Sequence, residues 1–218
     1  MPAGRVIAIF FWLVATFAIA ADEKVKPLAE TPPADAVSKE VAAQLATSGA
    51  QVSSGSKTLC DIWLCKTLPT KADFKPTEET LYPLQPGQLV GVVRYKSKGA
   101  DFRDQEIPRG VYTLRYALQP VDGNHVGTSP TRDFLVLLAA KEDTSPKPLE
   151  EKAMFKQSAE SIGTKHPAML CLQRADSAKR PAMRHIEDPA WSIIQLSTAG
   201  EGGKMIDLDF VVVGHATE

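Results

Sequence analysis

Cysteine is scarce. Only Cys60, Cys65 and Cys171 occur in 218 residues, and no Cys-x-x-Cys pair is among them, which excludes a disulfide-dense small scaffold, a cysteine-built zinc site and haem attachment of the c type. A preponderance of one charge is also missing. The 25 basic and 26 acidic side chains leave a formal net charge of −1, whereas a nucleic-acid binder concentrates Lys and Arg into a basic domain. The longest apolar run, residues 6–19, falls short of the roughly 20 residues that cross a bilayer, and Asp22-Glu23-Lys24 follows soon after it. Absent too are Gly-x-Ser-x-Gly, a Gly-rich phosphate cradle ending in Lys-Ser/Thr, and His-Glu-x-x-His, so the motif-bearing hydrolases, P-loop enzymes and zinc peptidases lose weight. Carboxylate-based hydrolysis needs only two acids brought together by the fold and stays open as an alternative.

What is present begins with an address. Arg5, the apolar run and the small-x-small pattern Ala18-Ile19-Ala20 read as a secretory signal peptide cleaved after Ala20. Residues 1–20 are therefore expected to be lost on export to the periplasm or outside the cell, with membrane contact during export alone. Residues 21–34, charged and carrying Pro27, Pro32 and Pro33, read as a flexible lead-in. Residues 35–218 are enough for one domain.

In an oxidising compartment a disulfide is permitted. If residues 59–66 form one extended strand, Cys60 and Cys65 lie roughly 16 Å apart at about 3.3 Å per residue, beyond the reach of about 7 Å between Cα atoms. Any bond is then expected to join Cys171 to Cys60 or Cys65. Three buried, unbridged thiols are the alternative.

Val37, Val41 and Leu45 recur at helical spacing before Gly49, predicting a short amphipathic helix. The period then changes to two. Cys60, Ile62 and Leu64 share one face of a strand, and Leu89, Gly91, Val93 and Tyr95 share a face of the next after Pro86-Gly87. Tyr112, Leu114, Tyr116 and Leu118 alternate with Thr113 and Arg115, predicting one buried and one wet face. Residues 134–140 are apolar on both faces, as in a strand covered from both sides. A second helix is expected from near Pro148 to a stop at Gly163. Strands at 168–173 and 191–197 follow, separated by a basic stretch with Arg174, Lys179, Arg180 and Arg184 that reads as a solvated loop. The last strand, with Ile206, Leu208, Phe210 and Val212, forms a hairpin with its predecessor through Gly200-Glu201-Gly202-Gly203. Several strands, two minor helices and no βαβ rhythm predict a mainly β chain, an antiparallel β-sandwich with one or two short peripheral helices.

The densest cluster of chemically able residues is the connection 119–133. Asp122, Asn124, His125, Arg132 and Asp133 are the candidate ligand-binding residues, since His and Asp can exchange protons and Arg can hold an anion. The same letters also make a turn and a strand end. Asp122-Gly123-Asn124 lacks the acidic repeat of an EF-hand, the spacing of Asp122, His125 and Asp133 matches no metal-site template, and only the fold could bring His166 beside His125, so no resident metal or cofactor is expected. Asp61, Asp101 and Asp104 read as solvated or capping residues, and Trp63 and Trp191 as core anchors.

Residues 110–127 (GVYTLRYALQPVDGNHVG), running on into Arg132-Asp133-Phe134, resemble a segment of exported bacterial proteins without an assigned function. Gly110-x-Tyr112-x-Leu114 is similar to a strand start common in transthyretin-like and carboxypeptidase-regulatory-like β-sandwiches, which implies the fold and no site residue. The expectation is thus an exported, non-enzymatic β-sandwich that binds an unknown small ligand or an envelope protein, with a metal-dependent or carboxylate-based hydrolase, its residues converging only in the fold, or a structural envelope component as alternatives.

Overall fold

The computed structural model describes residues 22–122 and 129–216; the signal-peptide reading falls on residues outside these. In chain order the elements are Glu23–Leu28 (β1), Lys39–Ala42 (α1), Gly49–Ser54 (β2), Lys57–Leu64 (β3), Thr67–Leu68 (β4), Leu89–Tyr95 (β5), Gly99–Ala100 (β6), Glu106–Ile107 (β7), Gly110–Leu118 (β8), Asp133–Ala139 (β9), Glu151–Ile162 (α2), Met169–Gln173 (β10), Ala182–Ile186 (β11), Trp191–Gly200 (β12) and Met205–Val213 (β13). Among the described residues, eleven strands form one sheet in the order β1-β2-β3-β5-β8-β9-β10-β13-β12-β11, with β4 parallel to β12 and every other pairing antiparallel. The small β6–β7 ribbon stands apart.

The sheet folds over, so that its two ends meet. β1 packs against β11, and the Thr198 hydroxyl on β12 reaches the Cys65 carbonyl just after β3. The chain is therefore a mainly β, antiparallel sandwich. Between its layers Ile62, Leu114, Tyr116, Leu135 and Leu137 meet Ile194, Leu208 and Phe210 in one apolar cluster, and burial of this surface is the main favourable term in the fold.

β9 is apolar on both faces because both are covered. Leu135 and Leu137 enter the main core. Val136 and Leu138 pack under Met154 of α2, while Phe134 joins Phe102, Cys171 and Trp191. Helix α2 presents Met154, Ser158, Ala159 and Ile162 to this layer, a spacing that keeps them on one face. The Glu150 carboxylate accepts from the Ala153 amide at its start, and Gly163, at φ 72°, ends it in the left-handed conformation that glycine adopts without a Cβ clash. The helix begins at Glu151, a turn later than Pro148 suggests.

Four expectations need correction. Residues 23–28, part of the expected flexible lead-in, form the edge strand β1 against β2; Pro27, the one proline within it, is tolerated at a sheet edge. The first helix is a single turn, capped by Ser38, although Val37, Val41 and Leu45 are all buried. The basic stretch is not simply a solvated loop, since Ala182–Ile186 pairs with β12. Finally, the face of β8 expected to be wet is sealed: Thr113 and Arg115 are both fully buried.

That seal is built by the segment after β9. Asp143 folds back over β8, accepting from Thr113 Oγ1 and, through both carboxylate oxygens, from Arg115 Nε and Nη2 at 2.6 and 2.7 Å. Arg115 Nη1 donates to the Gly87 and Lys147 carbonyls at 2.8 Å, and Nη2 also to Ser145 O. All five guanidinium N–H groups are thus used. Gly87, at φ 82°, carries its carbonyl to this cation from a turn where a Cβ would meet the Leu149 backbone.

Candidate functional site

A long connection, residues 69–88, runs from β4 to β5. Connections of this length are ordered only when something else holds them, and here the holder is the start of β9. The buried Asp133 carboxylate accepts from the Leu81 amide at 2.9 Å, the Tyr82 amide at 3.3 Å and the Tyr116 hydroxyl. Burial pushes the Asp133 pKa up, against the opposing pull of these hydrogen bonds. The Arg132 amide donates to Glu79 O at 2.8 Å, and the Lys71 amide to Pro83 O at 2.8 Å, closing the connection on itself.

So anchored, the connection drives one side chain into the sheet. Tyr82 is 4% exposed. Its hydroxyl donates to the Gln173 carbonyl at 2.6 Å and accepts from the Asp209 amide at 3.2 Å. Gln173 and Asp209 are register partners of β10 and β13, so the hydroxyl stands between two backbone groups that would otherwise bond directly. The β10–β13 ladder is confined to Leu172↔Phe210 and Gln173↔Asp209. Beyond the wedge the strands part, and Met205–Leu208 keep β12 as their strand neighbour.

The parted seam is a cavity of about 510 Å³ between residues 70–83, Arg174-Ala175 and the β12–β13 turn. Its volume lies in the range of small-ligand sites, about 300–1,000 Å³. Phe74, Tyr82 and Met205 supply apolar wall, with Met205 55% exposed. Lys71, Arg174 and Lys204 stand with Asp73 and Glu201 at the rim, all exposed. Asp207 is held by Arg180, whose Nε lies 3.5 Å from its carboxylate.

Behind the seam lies a buried polar cluster that gives the basic stretch its role. Arg180 Nη2 donates to Asp209 Oδ1 at 2.5 Å, Gln195 Nε2 to Asp209 Oδ2 at 2.7 Å, and Gln195 Nε2 also to Asp176. Burial raises the Asp209 pKa, and Gln195 and Arg180 oppose the rise. Arg180 is 5% exposed at its side chain. Of the residues expected to be solvated, Arg180 thus holds down the rear of the cleft.

The residues predicted from sequence are not assembled into one site by the described structure. Asn124 and His125 lie outside the described residues, and with them the His125–His166 pairing. Asp122 and His166 are exposed. Arg132, whose Nε donates to Gln119 O at 2.8 Å, and Asp133 are anchors of the 69–88 connection. Asp61 is buried rather than solvated, receiving Gln51 Nε2 at 2.7 Å and Arg94 Nη2 at 2.6 Å. Asp101 caps its own loop through the Arg103 and Gln105 amides and is buried as well. Trp63 and Trp191 do anchor the core, at 0% and 8% exposure.

Of the two readings of the cysteines, the structure has three free, buried thiols and no bond from Cys171 to Cys60 or Cys65. Cys60 and Cys65 point into the main core, whereas Cys171 faces the separate Phe102–Trp191 cluster. Burial pushes each thiol up to about 12, so none is a thiolate near neutrality.

One further trio has the residue types of a nucleophilic site. Ser192 Oγ donates to Glu23 Oε2 at 2.8 Å and lies 3.0 Å from His185 Nδ1. The order is wrong for catalysis, because the base must stand between hydroxyl and carboxylate. Here the serine proton is given to the acid, and the contact ties β1 to β12. Among the described residues no group of three or more His, Cys, Asp and Glu is placed to hold a metal. Compared with family models, curated proteins and solved structures, the chain gives no match.

Proposed function

We propose that this chain is an exported, non-enzymatic binding β-sandwich, and that its binding surface is the cleft beside Tyr82. The observation that carries the reading is the seam itself: strands β10 and β13 part at a buried hydroxyl, and the gap of about 510 Å³ is walled by an anchored connection. A surface held by a rigid scaffold costs little to order on binding. The buried acids favour binding over hydrolysis. Asp61, Asp133, Asp143 and Asp209 each accept two or more hydrogen bonds from protein groups, whereas a general acid or base must reach a substrate proton. Export is supported by residues 1–20, and cleavage after Ala20 leaves β1, which begins at Glu23, whole.

Amide chemical-shift mapping of the purified protein against a library of small amphipathic fragments tests the reading. Shifts should cluster at Lys71, Phe74, Arg174 and residues 204–207. Hits that cluster on another face, or a library that moves no cleft amide, contradict it. N-terminal sequencing of the exported protein should begin at Ala21.

A further inference from the structure

We infer that the cleft binds an extended peptide segment, which adds to the sheet as a strand along the open side of β13. The inference rests on the cleft being the binding surface, and it names the ligand class.

Antiparallel strands direct the backbone groups of successive residues alternately to one neighbour and the other. The Gly200 amide donates to the Lys204 carbonyl at 2.7 Å, which places Lys204, Ile206 and Leu208 in bonding register with β12 across the pairs Thr198↔Ile206 and Leu196↔Leu208. Met205, Asp207 and Asp209 therefore direct their N–H and C=O groups the other way. Asp209 confirms the parity, since its amide meets the Tyr82 hydroxyl on the β10 side. At Met205 and Asp207 the same side is the cleft, and the β10 chain has already turned away: the Arg174 carbonyl accepts from Arg184 Nη2 at 3.3 Å.

The cleft thus offers a short run of strand edge in the middle of a sheet, flanked by apolar wall. Exposed edges are the surfaces to which extended peptides add, with main-chain bonds giving affinity and alternate side chains giving selectivity. A small rigid ligand would not use two backbone positions spaced along a strand. The rim carries both signs, Lys71, Arg174 and Lys204 beside Asp73 and Glu201, so main-chain bonds and the apolar wall, not net charge, govern the fit. The segment that fits is extended and carries an apolar side chain toward Met205 and Phe74.

The experiment uses a phage-displayed library of random dodecapeptides selected on the full-length protein, with the best binder resynthesised and titrated. Single backbone N-methylation along the binder should weaken binding at least tenfold at alternate positions only. Asp207→Pro, which removes an N–H directed away from β12, should weaken it at least tenfold, while Asp207→Ala, which keeps that N–H, should not. A binder that responds to Arg174→Glu but tolerates N-methylation everywhere and Asp207→Pro overturns strand addition and leaves the cleft as the binding surface. A binder indifferent to Arg174→Glu, Lys71→Glu and Asp207→Pro overturns both, and a library yielding no binder overturns the peptide class. Should Asp207→Pro fail to fold, the N-methylation pattern decides alone.

Discussion

Two sets of charged side chains in this molecule are treated in opposite ways. Arg115 and Asp143 are withdrawn from water completely, and every guanidinium N–H finds an acceptor. Lys71, Arg174 and Lys204 stand in solvent around the parted seam and make no ion pair among the described residues. The buried pair has exchanged hydration for fixed geometry, which is tolerable only when all its hydrogen bonds are made. The rim charges have kept their hydration and are free to exchange it for a ligand. Chemical type is the same in both places, and it is the degree of satisfaction that separates scaffold from surface.

Breaking the sealed set gives the largest effect. Arg115→Ala leaves Asp143 an uncompensated buried charge and should remove about 3–5 kcal/mol of unfolding free energy in urea; a loss below about 1 kcal/mol would show that water reaches the pair. Tyr82→Phe comes next. It deletes the hydroxyl between Gln173 O and Asp209 N and should cost about 1–3 kcal/mol by stranding buried polar groups. An increase in stability would mean that the two strands can zip together and that the seam is not fixed.

Titration sharpens the contrast. Burial raises the Asp133 pKa above its ordinary value of 3.8, so the folded state binds that proton more tightly than the unfolded chain. Its contribution is therefore fully present below about pH 4 and is lost as pH rises through the raised value. The stability of the protein relative to Asp133→Asn, which does not titrate, should fall as pH rises above about 4 in denaturation curves. A difference that grows with pH would reverse the sign. At the smallest end, Lys71→Ala and Arg174→Ala should change stability by no more than about 0.5 kcal/mol, as exposed substitutions do. A larger loss would make the rim part of the scaffold.

The same contrast explains what could be read from the letters. β5, β8, β9, β12 and β13 were legible because their apolar residues alternate or run unbroken, the Gly200–Gly203 turn announced the end of β12, and Gly163 announced that of α2. β1 and β11 were not, because edge strands carry Lys, Glu, Pro and Arg as loops do. Burial of Arg115 depends on Asp143, on a segment beyond the neighbouring strand, and no local pattern encodes that pairing. Arg132 and Asp133 were singled out for their chemistry, yet they serve as anchors, since their partners Glu79, Leu81 and Tyr82 lie some fifty residues earlier. The cleft was invisible for the same reason: Tyr82 reaches Gln173 across 91 positions, and the only local hint was a long, proline-punctuated connection where a hairpin turn would have sufficed.

Hydrogen exchange of individual amides along β13, followed by NMR in the free protein, tests the open seam most directly. Ile206 and Leu208, bonded to β12, should exchange orders of magnitude more slowly than Asp207 between them, whose amide faces the cleft. Equal protection of all three would contradict the account, because it would mean that the β10 side of the strand is already closed.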